Sequence, residues 1–337
     1  MSEALMQYRP ALWIAEQTRQ LLKQQGHAWL LNGPSGLGQY RLALALASAW
    51  LCESPGPNGA CGSCPSCHAI QVRTHADLCV LMPETTMIEL GWPLSEKAQS
   101  EIDDKKRKAS REIRVDAMRD TIEFSQRTSA RGRGKVVLVY PAEQMNAITA
   151  NALLKTLEEP PGDVRFVLAT ESSHQLLPTI RSRCQSHAMV WPDTQVARQW
   201  LGEQGVESSE TDAYLRAAGG RPDDVLSLRD SGRKAQDWAR FPAAMAAGDT
   251  AFVRDWPVTG LVDALQKLCH DAMCVHLGAQ PRFFDWKPGA SVPQFESLSR
   301  WSVALKQSRN TMEHPFNGGL MQEALVEQAR TALNSAH

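Results

Sequence analysis

The sequence predicts an α/β domain built on a parallel sheet, followed by an all-helical remainder, and three observations carry that prediction. HAWLLN, KVVLVY and RFVLAT are continuous apolar runs of strand length, the kind buried on both faces of a parallel sheet. Helix-patterned segments alternate with strands up to about residue 190, as crossover connections between parallel strands require. Beyond that point no convincing strand pattern occurs.

Taken in order, ALWIAEQTRQLLKQQ (11–25) places Leu12, Ala15, Leu21 and Leu22 near one helical face, and Gly26 ends the helix. HAWLLN is a short buried strand. The turn Gly33 to Gly38 follows, and RLALALASAWL is a helix apolar nearly all round, hence packed inside. A cysteine-rich excursion (52–67) precedes the strand-like DLCVLMPE. Residues 93–112, with the run DDKKRKASRE, read as a solvated loop. IRVDAMRDTIEFSQ gives a strand end and then a helix capped by Asp116, with Ala117, Ile122 and Phe124 among its apolar positions. SARGRG turns into KVVLVY, and the helix centred on NALLKTLEE is stopped by Pro160 and Pro161. The domain expectation is therefore 1–190 for the α/β part, 191–232 for a small helical unit and 233–337 for a second helical domain.

Charge excludes a global basic field: 36 lysines and arginines face 37 acidic residues, for a net charge of -1 over 337 residues. The longest apolar run, Leu42 to Cys52, is too short to span a bilayer, and MSEALMQYRP carries no signal pattern, so a cytoplasmic location is expected. In that compartment thiols stay reduced. Eight cysteines then point to metal ligands or core side chains, not to disulfides.

Strand, glycine turn and helix form the frame of a phosphate-binding loop. A working loop reads GxxxxGK[ST], with the lysine on the β and γ phosphates and the hydroxyl on Mg²⁺. Gly33 and Gly38 fit, but the next residues are Gln39 and Tyr40. After KVVLV an Asp is needed to hold the metal, and here Tyr140 and Pro141 stand at the metal and water-activating places. Four losses on one chemistry predict a chain that neither binds nor hydrolyses ATP, with the turn kept for its backbone geometry.

Cys52, Cys61, Cys64 and Cys67 lie in CESPGPNGACGSCPSC, two CxxC steps with a fourth cysteine nine positions upstream. Four thiolates suit a closed, tetrahedral and therefore structural zinc site. His68 reads as a helix-start or surface residue, and Cys79 and Cys184 as non-ligands. His270 and Cys274, spaced i, i+4, supply only two ligands and read as buried packing.

YRPALW, HAWLLNGPSGLG, the four-cysteine insertion, IRVDAMRD, NALLKTLEEPPG and LLPTIRSRCQ together resemble the bacterial clamp-loader ATPase family of DNA polymerase III. The match runs in order to about residue 190 and is weak beyond, resting there on HPFNGGLMQEALVEQA. The resemblance implies an AAA+ domain holding the zinc module, a helical lid and a collar that joins a circular hetero-pentamer with the gamma/tau motor subunits and the delta subunit. It implies sliding clamp and primed DNA as partners through the complex. Substitutions at Gln39, Tyr40, Tyr140 and Pro141 fit a stator better than a motor subunit. Ser182, Arg183 and Cys184 match the family's SRC motif, which implies that Arg183 projects into a neighbour's ATP site. Arg181 is a weaker candidate, Thr170 ends a strand at the sensor place, and Arg221 in GGRP is assigned no nucleotide role.

Two rival readings stand beside this one. The first is an active motor-type ATPase with an unusual site. The second is a nucleic-acid binder using the basic stretch 105–114 with Arg127, Arg131 and Arg133; against it, the cysteine loop lacks the basic and aromatic residues such contact needs.

Overall fold

Five strands, β1 (Ala28–Asn32), β2 (Leu78–Leu81), β3 (Lys135–Val139), β4 (Val164–Thr170) and β5 (Gln185–Ala188), pair in parallel in the order β2-β3-β4-β1-β5. The structure, a computed structural model, describes residues 11–285, 292–311 and 318–335. The chain divides into two compact units, Met1–Val196 and Ala197–His337.

In the first unit the helices are α1 (Leu12–Leu22), α2 (Gln39–Leu51), α3 (Pro65–Gln71), α4 (Glu84–Glu89), α5 (Glu96–Asp103), α6 (Val115–Gln126), α7 (Ala147–Glu158) and α8 (Pro178–Arg181). Successive strand residues alternate between two cores, because side chains in a strand point to opposite faces. Ala28, Leu30, Val137, Val139, Phe166 and Leu168 pack with Met118, Leu153 and Leu157 of α6 and α7. Val136 and Leu78 turn the other way and meet Ala47 and Leu51 of α2 and Ile70 of α3. Every residue of β3 is buried, as the apolar run KVVLV requires.

Three expectations change here. The solvated loop expected over 93–112 contains α5, and Arg107 within it pairs with Glu84 and Glu101. Asp116 is a first-turn residue of α6, whose N-cap position is Arg114; the acidic side chain serves the helix dipole without capping. β5 was not legible as a strand because QSHA is mostly exposed at the sheet edge and lacks an apolar run.

The second unit is helical throughout its described residues. α9 (Thr194–Glu203) carries the boundary, followed by α10 (Ser208–Ala217), α11 (Pro222–Asp230), α12 (Ala235–Ala247), α13 (Val258–His276), α14 (Phe295–Thr311) and α15 (Gly318–Leu333). Trp238 stacks on Phe284 at 4.5 Å, and Phe241 stacks on Trp256 at 5.2 Å. Leu261, Leu265 and Leu268 of α13 meet Leu298 and Leu305 of α14 and Leu325 and Ala329 of α15 in the same cluster. Buried Asp271 accepts from the backbone N–H of Arg282, Phe283 and Phe284, fixing that loop. The motif HPFNGG lies partly outside the described residues.

Candidate functional site

The glycine turn links β1 to α2 at the carboxyl end of the sheet, with β4 and β5 on either side of β1. Gly36 and Gly38 adopt φ of 77° and 89°, which glycine reaches without strain. Gly33 is small for another reason: a Cβ there would lie 2.8 Å from Cβ of Met189. Trp13 of α1 donates its ring N–H to Leu37 O at 3.1 Å and braces the turn from outside. The frame is thus held by packing, backbone geometry and side-chain hydrogen bonds to its carbonyls.

Gln39 is buried, and its Nε2 donates to Gly33 O at 2.6 Å and to Pro34 O at 2.7 Å. The amide closes the loop on itself and brings no charge. Tyr40 and Tyr140 stack with ring centroids 5.5 Å apart and an interplanar angle of 30°. The two rings, at the places where the sequence predicts the loss of a metal-binding hydroxyl and carboxylate, pack against one another. Trp92 donates its ring N–H to Tyr40 Oη at 2.6 Å, and Tyr140 Oη donates to Glu171 at 3.1 Å. Pro141 follows and has no carboxylate to activate water. Thr170 ends β4, fully buried, and donates to Glu143 at 2.7 Å; Glu143 also accepts from Glu171 N. Trp92, Glu143 and Glu171 were not singled out in the sequence, because only the fold brings them to this turn.

The four cysteines come together at the far end of α2. Cys52 follows the last turn of α2, Cys64 is the N-cap of α3, and Cys67 lies inside α3. Their Sγ atoms all lie within 4.8 Å of one another. Cys52 and Cys64 are 3.8 Å apart, and Cys61 and Cys67 3.9 Å. A tetrahedral ion with Zn–S bonds of about 2.3 Å needs sulfurs about 3.8 Å apart, the spacing these two pairs show, so the donor set suits such an ion. Gly59 and Gly62, at φ of 110° and 77°, turn the loop around the site. Backbone N–H groups of Cys61, Cys64 and Cys67 point at sulfurs. N–H groups of Ser63 and Cys64 draw Cys61 down to about 6, while burial pushes Cys52 and Cys67 up. Glu53 ties the loop to the rest of the unit, accepting from Ser66 and from Arg131 at 2.7 Å.

Other sequence candidates lie elsewhere. His68 is exposed on α3. Cys79 packs against the sheet core, and burial pushes it up. His270 is exposed, with Cys274 3.8 Å away, so the expected buried packing is not what holds them; His270 stands edge-on to Phe283 and pairs with Asp271. Among the described residues the four cysteines are the one cluster of three or more metal-ligating side chains. Of the basic residues considered for nucleic acid, Lys106, Arg107, Arg127 and Arg131 each pair with a carboxylate of this chain.

Arg183 emerges between α8 and β5 and is about one-third exposed. Its Nη1 donates to Thr179 O at 2.9 Å, and Nη2 pairs with Glu158. Cys184 beside it packs into the sheet core, and burial pushes its thiol up to about 12. Arg181 is exposed on α8. Arg221 donates to Ala218 O and pairs with Asp224 at 2.7 Å within the second unit. No helix among the described residues is long and apolar enough to cross a membrane.

Comparison with known proteins adds four findings. The family model described as DNA polymerase III, delta subunit, matches residues 14–190. The chain is 36% identical over 233 residues to DNA polymerase III subunit delta' of Pseudomonas aeruginosa, covering 68% of this chain and 62% of that one. It is 32% identical over 257 residues to subunit delta' of Escherichia coli, covering 72% of this chain and 70% of that one. Among solved structures, a DNA polymerase III gamma subunit-related protein of Thermotoga maritima shares the fold, with a TM-score of 0.51, 15% identity, and coverage of 95% of this chain and 99% of that one.

Proposed function

We propose, for a chain that belongs to the DNA polymerase III delta-subunit family and is related to its delta' clamp-loader subunits, that it is the non-hydrolysing stator of a clamp loader. In this reading residues 1–190 form the AAA+ domain, with a structural zinc module at 52–67. Residues 191–232 form the lid, and 233–337 form the collar that joins gamma/tau motor subunits and delta in a hetero-pentamer. That assembly places the sliding clamp on primed DNA.

The observation that carries the stator reading is the Tyr40–Tyr140 stack over a loop already closed by Gln39. Phosphoryl transfer depends on a positioned metal and charge clamps, and this site offers a ring pair and a neutral amide instead. Arg183 supplies the chain's contribution to ATP chemistry in trans, since a guanidinium is permanently charged and its fork matches phosphate oxygens.

Two measurements test the reading. Calorimetric titration of the isolated chain with MgATP should give no binding, whereas micromolar affinity would favour the active motor-type alternative. In a reconstituted loader, Arg183→Ala should leave assembly intact and lower the clamp- and DNA-stimulated ATPase. Wild-type hydrolysis and loading by that assembly would overturn the trans role.

A further inference from the structure

Glu158 is the last residue of α7, where the helix dipole disfavours a carboxylate. Its placement is explained across the fold: it meets the Nη2 of Arg183. The backbone under Arg183 is held on both sides, by fully buried Ile180 and by Cys184 packed against the sheet core. Thr179 O takes Nη1, and Nε is buried with no acceptor. The guanidinium is therefore oriented, and Glu158 occupies one of its two outer nitrogens. A phosphate approaching from outside meets a carboxylate of like charge at that nitrogen and competes with it.

Resting on the reading of Arg183 as an arginine acting in trans, we infer that Glu158 is its holding partner. It keeps the guanidinium aligned and occupied, and releases Nη2 only to the polyphosphate of a nucleotide bound by the adjacent subunit. No bond is made or broken covalently; one anionic acceptor replaces another. The pair suits such an exchange because it is partly solvated, at 30% and 50% side-chain exposure, and so is readily displaced. In the absence of clamp and DNA, when the subunits are not driven together, Glu158 competes and hydrolysis is held down. When clamp and DNA close the interface, the phosphate is already placed and the competition no longer matters.

The test uses the reconstituted loader carrying Glu158→Gln, Arg183→Ala or both, with ATPase measured with and without clamp and primed DNA. Glu158→Gln should raise the basal rate about two- to five-fold, the range of an exposed ion pair, and leave the stimulated rate near wild type. In the Arg183→Ala background the same substitution should do nothing. Thermal melting of the Glu158→Gln chain should match wild type, which separates release of the arginine from loss of structure. A basal rate at or below wild type, with Arg183→Ala still lowering the stimulated rate, would refute the holding role and leave the arginine reading standing. A rise that persists without Arg183 would also refute it, since the effect would then run through another group. If Arg183→Ala were itself silent, the parent reading would fail and the holding role with it.

Discussion

Tyr40 and Tyr140 stack at 5.5 Å, one from the first turn of the helix after the glycine turn and the other from the residue that follows strand β3. The stacked rings make a packed structural joint between α2 and the segment after β3. Trp92 extends it into the segment before α5 through its bond to Tyr40.

That joint should contribute measurable stability. Tyr40→Phe leaves buried Trp92 without an acceptor and should cost about 1 to 3 kcal/mol by chemical denaturation. Trp92→Phe in the same chain should recover part of the loss, because the orphaned donor goes too. Equal stability of Tyr40→Phe and wild type would show that the bond is not formed in solution.

Restoring one residue should not restore a nucleotide site. Gln39→Lys is expected to give no ATP hydrolysis, since in the proposed reading Tyr40, stacked on Tyr140, supplies no metal-binding hydroxyl and Pro141 cannot activate water. Hydrolysis by this single variant, followed by phosphate release, would show that the aromatic pair opens.

The cysteine cluster should hold one zinc per chain, measurable by elemental analysis of protein made without a metal-affinity tag. Zinc requires thiolates, so acidification should release it, and a chromogenic chelator should report the release. Burial holds Cys52 and Cys67 above the usual thiol range, so the metal must drive off their protons, which makes affinity fall as pH falls. Cys→Ser at 52, 61, 64 or 67 should loosen the loop while the sheet stays folded, because β1, β3 and β4 have their own core.

Asp77 offers a test of stability against pH. Its carboxylate is fully buried and accepts from Ala130 N, Arg131 N and Ser129 Oγ, with Lys135 Nζ at 3.4 Å. Burial alone would raise it, but these donors together hold it below the ordinary carboxylate range. Its stabilisation is therefore complete above the unfolded value of about 3.9, and is lost as pH falls through the lower folded value. Asp77→Ala should cost about 3 to 5 kcal/mol near neutral pH, because Lys135 is left as an uncompensated buried charge. The difference from wild type should shrink toward acid in pH-resolved denaturation; a constant difference would place the effect in packing.

The α/β core was legible because continuous apolar strands and period-matched helices are local patterns, and β1, β3 and β4 fall where the runs HAWLLN, KVVLVY and RFVLAT stand. The cysteine cluster was legible because its ligands are close in sequence. β5 escaped because an edge strand needs no apolar signature, and α5 because a mostly exposed helix rich in charge resembles a loop. The pairing of His270 and Cys274 with solvent-facing surroundings escaped because i, i+4 spacing fixes a shared face without saying which way it points.

By itself the sequence determined the sheet's central strands, the glycine turn, the thiolate set and the loss of charge at Gln39, Tyr40, Tyr140 and Pro141, since each depends on residue type and near spacing. Only the tertiary structure decided that Tyr40 meets Tyr140, that Trp92 and Glu171 complete the joint, and that Glu158 meets Arg183. Those contacts join segments far apart along the chain, and they exist because the parallel order β2-β3-β4-β1-β5 gathers the segments after β1, β2, β3 and β4 at the carboxyl edge, and those before β4 and β5, which hold Glu158 and Arg183, at the opposite edge. Local propensity carries no information about such register, which is set when the buried faces of strand and helix close on a common core.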